Sequence, residues 1–283
     1  MKGAELKTTA RALPGTDLSL DSASEPYFER LCELAARDQW KLEELGWHTL
    51  DVSSLPEPFR QTAADGFAQL QWGERTAQLA ATRLIELLPE GAARAFVVTQ
   101  RTDEARHVAF FERVIGLLGC EGRVRPSVQR LMREVQEAET PEALVLGMQI
   151  LIESIAHSLF QEASRVVNSI EAGEELDGPL RALKTVMGEW MPRLLGRDES
   201  RHIAFGLHYL RQRIPRLEGP ERHQLEEKVS LWGEWVLEQA RDPDLVYGIG
   251  IDGEAVCGQL IEDLNLRLAQ VGLETRIAPL KAA

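Results

Sequence analysis

Apolar residues recur at three- and four-residue intervals along most of this chain, and the alternating runs that strands require are sparse. The pattern predicts helices over about Ser24–Leu45, Glu57–Leu88, Ala92–Leu118, Pro126–Glu139, Thr140–Ile170, Pro179–Arg213, Gly219–Arg241 and Gly253–Gly272. Punctuation falls between them: Gly46, then Pro56 and Pro58, then Pro89-Glu90-Gly91, and a polar stretch at Glu171–Gly178. Thr140 and Asp252 are placed to cap the helices they precede, and Pro126 and Pro141 suit first-turn positions. The expected class is all-α. Residues 1–20 read as a flexible N-terminal arm, 21–272 as a single helical domain and 273–283 as a C-terminal tail.

Composition narrows the function. The 283 residues are 44% hydrophobic and 27% charged, enough for a sizeable core. A net charge of −13, from 32 basic and 45 acidic residues, argues against nucleic-acid binding, which needs a basic excess to neutralise phosphates. Cys32, Cys120 and Cys257 are far apart and form no Cys-x-x-Cys, so a disulfide framework is not expected and a reducing, cytoplasmic setting is. No apolar run reads as a membrane span, and residues 1–20 lack a signal-peptide core.

Chemistry is concentrated in one repeated pentapeptide, Asp-Glu-x-Arg-His: Asp103-Glu104-Ala105-Arg106-His107 and Asp198-Glu199-Ser200-Arg201-His202. Glu and His three apart on a helix project from one face, a turn apart. Charged pentapeptides followed by Val108-Ala109-Phe110-Phe111 and Ile203-Ala204-Phe205-Gly206 are costly inside a helical core unless paired or bound to metal. Two Glu-x-x-His pairs, with one Glu from each of two further helices, form the ligand set of a di-iron or di-manganese centre in a four-helix bundle.

Glu74 is the first single carboxylate. It lies 30 residues before Glu104 with the Pro89 turn midway, so antiparallel helices bring the two level. For the second, Glu153 and Glu162 compete on one helix. A register drawn about the polar turn leaves Glu162 roughly 20 Å from the level of Glu199 at the helical rise, and Glu153 close to it. Glu153 also occupies the apolar stretch Leu151-Ile152-Glu153-Ser154-Ile155-Ala156 and is preferred.

These residues resemble the ferritin-like di-iron carboxylate superfamily, in the branch that holds ribonucleotide reductase small subunits, related ligand-binding oxidases and bacterial multicomponent monooxygenase hydroxylases. Gly73-Glu74 followed by Asp-Glu-x-Arg-His resembles the monooxygenases, Ile152-Glu153-Ser154 the reductase-like group, and Gln39-Trp40 through Leu45-Gly46-Trp47 a Trp-containing element ahead of its bundle. The resemblance implies a ferritin-like four-helix bundle with additional flanking helices. It implies that Glu74, Glu104, His107, Glu153, Glu199 and His202 bind two iron ions, or manganese with iron. Asp198 would accept from the far ring nitrogen of His107 and Asp103 from that of His202, with Arg106 and Arg201 holding the aspartates. Three departures matter. Phe111 stands where radical-storing reductase subunits carry Tyr, Met148 where ligand-binding oxidases need Tyr, and the tail from Ile277 has no Tyr.

The expected function is an O₂-using oxidase or oxygenase acting on a small organic substrate by hydroxylation, N-oxygenation or desaturation. The alternatives are a reductase-like radical generator and a non-enzymatic iron-binding bundle. No flavin or nicotinamide fingerprint is present, so electrons would come from the substrate or a separate donor protein; a homodimer is compatible with this reading. Phe110, Phe111, Phe160 and Phe205 are candidates to shield the centre, and Trp40, Trp47, Trp72 and Trp190 are candidate electron relays. His157, one turn after Glu153, is a candidate extra ligand or pocket residue. Pro192 is expected to distort its helix and widen a cavity beside the metals.

Overall fold

Eight helical rods, α1 to α8, account for most of the described residues (18, 20–169, 178–241 and 252–280) in the computed structural model, and no strand occurs among them. The first is α1 (Glu25–Arg37). It stops eight residues before the expected Leu45, and only short 3₁₀ turns follow at Leu42–Glu44 and Trp47–Thr49. The reason lies in packing: Trp40 and Trp47 leave the helical path to bury their rings in the core.

The hairpin α2 (Glu57–Leu87) and α3 (Ala92–Leu118) supplies one half of the core. Ala63, Ala64, Ala77, Ala80 and Ala81 line the buried face of α2 and allow close approach, while Phe67 and Leu84 fill the gaps. Glu25 of α1 accepts from Ala92 N at 2.9 Å and so caps α3 from another helix. At its far end α3 closes on Gly119, which takes φ 65°, a left-handed conformation glycine adopts without strain. Helix α4 (Pro126–Gln136) is shorter than the predicted Pro126–Glu139.

The other half is α5 and α6. Helix α5 (Pro141–Ser169) begins where Thr140 Oγ1 accepts from Ala143 N at 3.2 Å. It is long and apolar enough to cross a membrane, contrary to the expectation that no run reaches that length, yet 83% of its most apolar window is buried inside the protein. Its apolarity serves the core. Between Leu146 and Ile152 the rod widens to a π-helix, which the periodicity did not predict. Helix α6 (178–213) is π-helical over Lys184–Leu195, with Pro192 inside that segment. The expected distortion at Pro192 is therefore present, and its form is a widened turn that absorbs the missing N–H. Helices α7 (Gly219–Arg241) and α8 (Gly253–Gln270) flank this core, and Asp252 caps α8 by accepting from Glu254 N and Ala255 N. The predicted polar turn at Glu171–Gly178, apart from Gly178, lies outside the described residues, as does most of the N-terminal arm.

Candidate metal centre

Helices α2, α3, α5 and α6 carry Glu74, Glu104, His107, Glu153, Glu199 and His202 to one buried point. His107 Nδ1 lies 3.3 Å from Glu74 Oε2, 3.4 Å from Glu104 Oε2 and 3.2 Å from Glu199 Oε1. His202 Nδ1 lies 3.2 Å from Glu104 Oε1, 3.5 Å from Glu199 Oε2 and 3.8 Å from Glu153 Oε1. The two imidazoles are 6.3 Å apart between ring centroids, with Glu104 and Glu199 reaching both. Two donor groups result: Glu74, Glu104, His107 and Glu199, and Glu104, Glu153 and His202.

The other ring nitrogens face outward. His107 Nε2 is 3.2 Å from Asp198 Oδ2, and His202 Nε2 is 3.4 Å from Asp103 Oδ2, so each aspartate reaches the imidazole of the opposite pentapeptide. Arg106 donates to Asp103 at 2.6 Å and to Asp198 at 3.1 Å. Arg201 donates to Asp198 and lies 3.5 Å from Asp103 and 3.7 Å from Asp38. Both arginines thus clamp both aspartates. Trp40 and Gln39 complete this layer: the indole donates to Asp198 at 2.9 Å, and Gln39 accepts from Arg106 at 2.7 Å.

Charge is strongly coupled here. Burial pushes the Glu74 carboxyl well above the usual range, and the Glu199 charge adds to it. Burial also raises Glu153 well above that range, partly offset by His202. Burial opposes ionisation of Glu104, but His202 and His107 beside it hold it far below its usual range. Burial lowers the imidazoles, yet Glu74 and Asp198 at His107, and Glu104 and Glu153 at His202, raise both well above normal. Despite burial, Asp103 and Asp198 are held low by their hydrogen bonds to His202 and His107.

A dinuclear cation centre fits these residues. Glu104 Oε2, Glu153 Oε2, both Glu199 oxygens and His202 Nδ1 are buried without a hydrogen-bond partner. Such unsatisfied acceptors cost free energy unless something electropositive sits among them. Carboxylate oxygens with two imidazoles suit iron or manganese.

Other expectations fare differently. Glu162 pairs with Arg165 at 2.5 Å, away from the cluster. His157 lies outside both donor groups, near Gly196, with Nδ1 buried and unpartnered. Phe110, Phe111, Phe160 and Phe205 are fully buried. A cavity of about 60 Å³ adjoins Glu74, Glu153 and Glu199, and is walled by Leu70, Ala77, Met132, Met148, Ile152 and Leu159. Its walls come from α2, α4 and α5 with Glu199 of α6 and Gln239 of α7, and no residue of the Lys184–Leu195 segment lies among those lining it. Two residues escaped the sequence reading. Gln100 and Gln149 are fully buried beside the carboxylates, and their only advance signal was a neutral amide on a core face.

No family model matches this chain, and no curated protein does. Solved structures do. A dimanganese(II) NrdF of Streptococcus sanguinis superposes with TM-score 0.68 at 13% identity, covering 91% of this chain and 93% of that one. An R2-like ligand-binding oxidase variant with an aerobically reconstituted Mn/Fe cofactor gives 0.58 at 20%, over 88% and 95%. Another, anaerobically reconstituted, gives 0.62 at 19%, over 88% and 94%. The chain has the ferritin-like helical-bundle fold of these dimetal carboxylate proteins.

Proposed function

We propose that this protein is an O₂-activating dinuclear iron, or manganese–iron, oxidase or oxygenase that acts on a small organic substrate. The observation that carries this reading is the joining of the buried carboxylate–imidazole cluster to an apolar cavity at Glu74, Glu153 and Glu199. Glu74, Glu104, His107, Glu153, Glu199 and His202 would hold two divalent ions, whose chemistry when bound is multi-electron reduction of O₂. The residues around them do the rest. Asp198 and Asp103 fix the imidazole tautomers so that Nδ1 faces inward. The cavity walls offer a hydrocarbon surface to the reacting part of a substrate. Electrons would come from the substrate or from a separate donor protein. A cytoplasmic setting is consistent with the free thiols of Cys32, Cys120 and Cys257.

A second reading, a radical-generating subunit, draws on the hydrogen-bonded line Trp40–Asp198–His107. Phe111, buried against Phe67, Phe110 and Phe160, cannot store a tyrosyl radical and favours the first reading.

The test is anaerobic loading with iron(II), metal counting, then exposure to O₂ with and without small apolar ligands. Two metals per chain and O₂ uptake altered by the ligand support the oxygenase. A long-lived organic radical insensitive to ligand supports the second reading, and absence of bound metal refutes both.

A further inference from the structure

Glu104 and Glu199 each reach both imidazoles, whereas Glu74 lies beside His107 and Glu153 beside His202. The carboxylates on the His202 side have a buried amide neighbour. Gln100 Nε2 donates to Glu153 Oε1 at 2.8 Å and to Glu104 Oε1 at 3.1 Å. Gln100 is held in turn, because Gln149 Nε2 donates to its Oε1 at 3.1 Å. Both amides are fully buried.

The fold makes room for this pair. Gln149 sits in the π-helical segment Leu146–Ile152, one turn before Glu153. Opposite it on α6 is Gly206, where a Cβ would fall 2.7 Å from Gln149 Cβ. A side chain at that glycine would push Gln149 off its position. Three separate features, a widened turn, a glycine and two aligned amides, therefore converge on the carboxylate of Glu153.

Amide orientation decides what the pair can do. Gln149 donates to Gln100 Oε1, which leaves the Gln100 NH₂ facing the carboxylates as a two-hydrogen donor. One hydrogen engages each carboxylate. Glu153 keeps its second oxygen buried and unpartnered, and Glu104 does the same. Each carboxylate is thus gripped at one oxygen and free at the other.

We propose that Gln100, aligned by Gln149, is a positioning residue that holds Glu153 and Glu104 for the ion on the His202 side. This rests on the dinuclear-centre reading above. It implies that the amides act chiefly on the ion beside His202, through Glu153 and the Glu104 oxygen that faces that imidazole. Hydrogen bonds that orient a ligating carboxylate typically change metal affinity by about 10–100-fold when lost.

The test is titration of metal-free full-length protein with manganese(II) alone, without O₂, followed by calorimetry. Wild type should bind two ions. Gln100→Met keeps the volume and removes the donor; one ion should bind as in wild type and the other about 10–100-fold more weakly. Gln149→Met should weaken that second ion less, because it acts through Gln100. The double variant Gln100→Met/Gln149→Met leaves neither amide unpaired, so it guards against a folding defect and should match Gln100→Met. Isotherms of the variants that superimpose on a two-ion wild-type isotherm overturn this inference and leave the dinuclear reading standing. A wild type that binds no manganese overturns both.

Discussion

Trp40 Nε1 donates to Asp198 Oδ2 at 2.9 Å, the oxygen that also lies 3.2 Å from His107 Nε2. An aromatic residue from outside the bundle is thereby tied to the far side of an imbedded imidazole. Arg106 stacks over the same indole at 4.8 Å and donates to the same oxygen, so Trp40 and Arg106 fix Asp198 together. Trp40→Phe should leave two-ion binding nearly intact, because Arg106 still holds the aspartate. It should slow reduction of the loaded, oxidised protein by an external donor. Stopped-flow reduction beside metal titration checks this; equal losses in both would assign Trp40 a packing role only.

Asp198→Asn keeps the shape and removes the charge that Arg106, Arg201 and His107 share. Breaking a buried pair in this way typically costs about 3–5 kcal/mol. Loss of the acceptor behind His107 should also weaken metal binding by about 10–100-fold. Denaturant unfolding of the metal-free protein and metal titration measure the two effects separately. A variant with wild-type stability would show that the arginine clamp does not depend on this charge.

The pH dependence follows from opposing shifts. His107 and His202 are raised in the fold, so their stabilisation is complete below the unfolded value near ~6.5 and is lost as pH rises through their folded values. Glu74 and Glu153 are also raised, so their ionisation above the usual carboxylate range removes stability in the same direction. The metal-free protein should therefore weaken as pH rises from about 6 to 8, since the depressed Asp103, Asp198 and Glu104 are already ionised throughout. Metal needs neutral imidazoles and ionised carboxylates, so its binding releases protons and tightens over the same range. The melting-temperature gain from saturating manganese(II) should grow with pH, as the binding free energy becomes more favourable by about 1.4 kcal/mol per pH unit for each proton released. A gain that shrinks with pH would contradict the proton bookkeeping.

Gly206→Ala places a methyl where Gln149 Cβ already stands, 2.7 Å away, with Ile150 Cδ1 at 3.2 Å. Ile150 Cδ1 is a side-chain end and can give, but Gln149 Cβ is fixed to its backbone and cannot. Overpacking of this kind costs about 1–3 kcal/mol. Thermal unfolding of the metal-free variant should report that loss, and an unchanged melting temperature would mean that α5 and α6 part without penalty.

Much of this was legible in the chain and some was not. The repeated Asp-Glu-x-Arg-His carries enough pattern to place Glu104, His107, Glu199 and His202 on inward faces, because helical spacing fixes which side chains align. The N-caps at Thr140 and Asp252 follow from side-chain chemistry alone. The π-helices at Leu146–Ile152 and Lys184–Leu195 do not, since one extra residue per turn leaves an apolar run looking apolar. The early end of α1 was hidden for a related reason: Trp40 and Leu45 are apolar because they pack into the core from irregular backbone, and this mimics helical periodicity. Gln100 and Gln149 were invisible because an amide is equally at home on a solvated face, and only tertiary contact reveals its partners.

Two metal ions should sit between His107 and His202. A crystal grown with iron(II) or manganese(II) and measured at the metal absorption edge tests it most directly. Two anomalous peaks are expected about 3.5–4 Å apart, bounded by Glu74, Glu104, Glu153 and Glu199 and contacted by the Nδ1 atoms of both imidazoles. No peak there, or peaks confined to the protein surface, would contradict it.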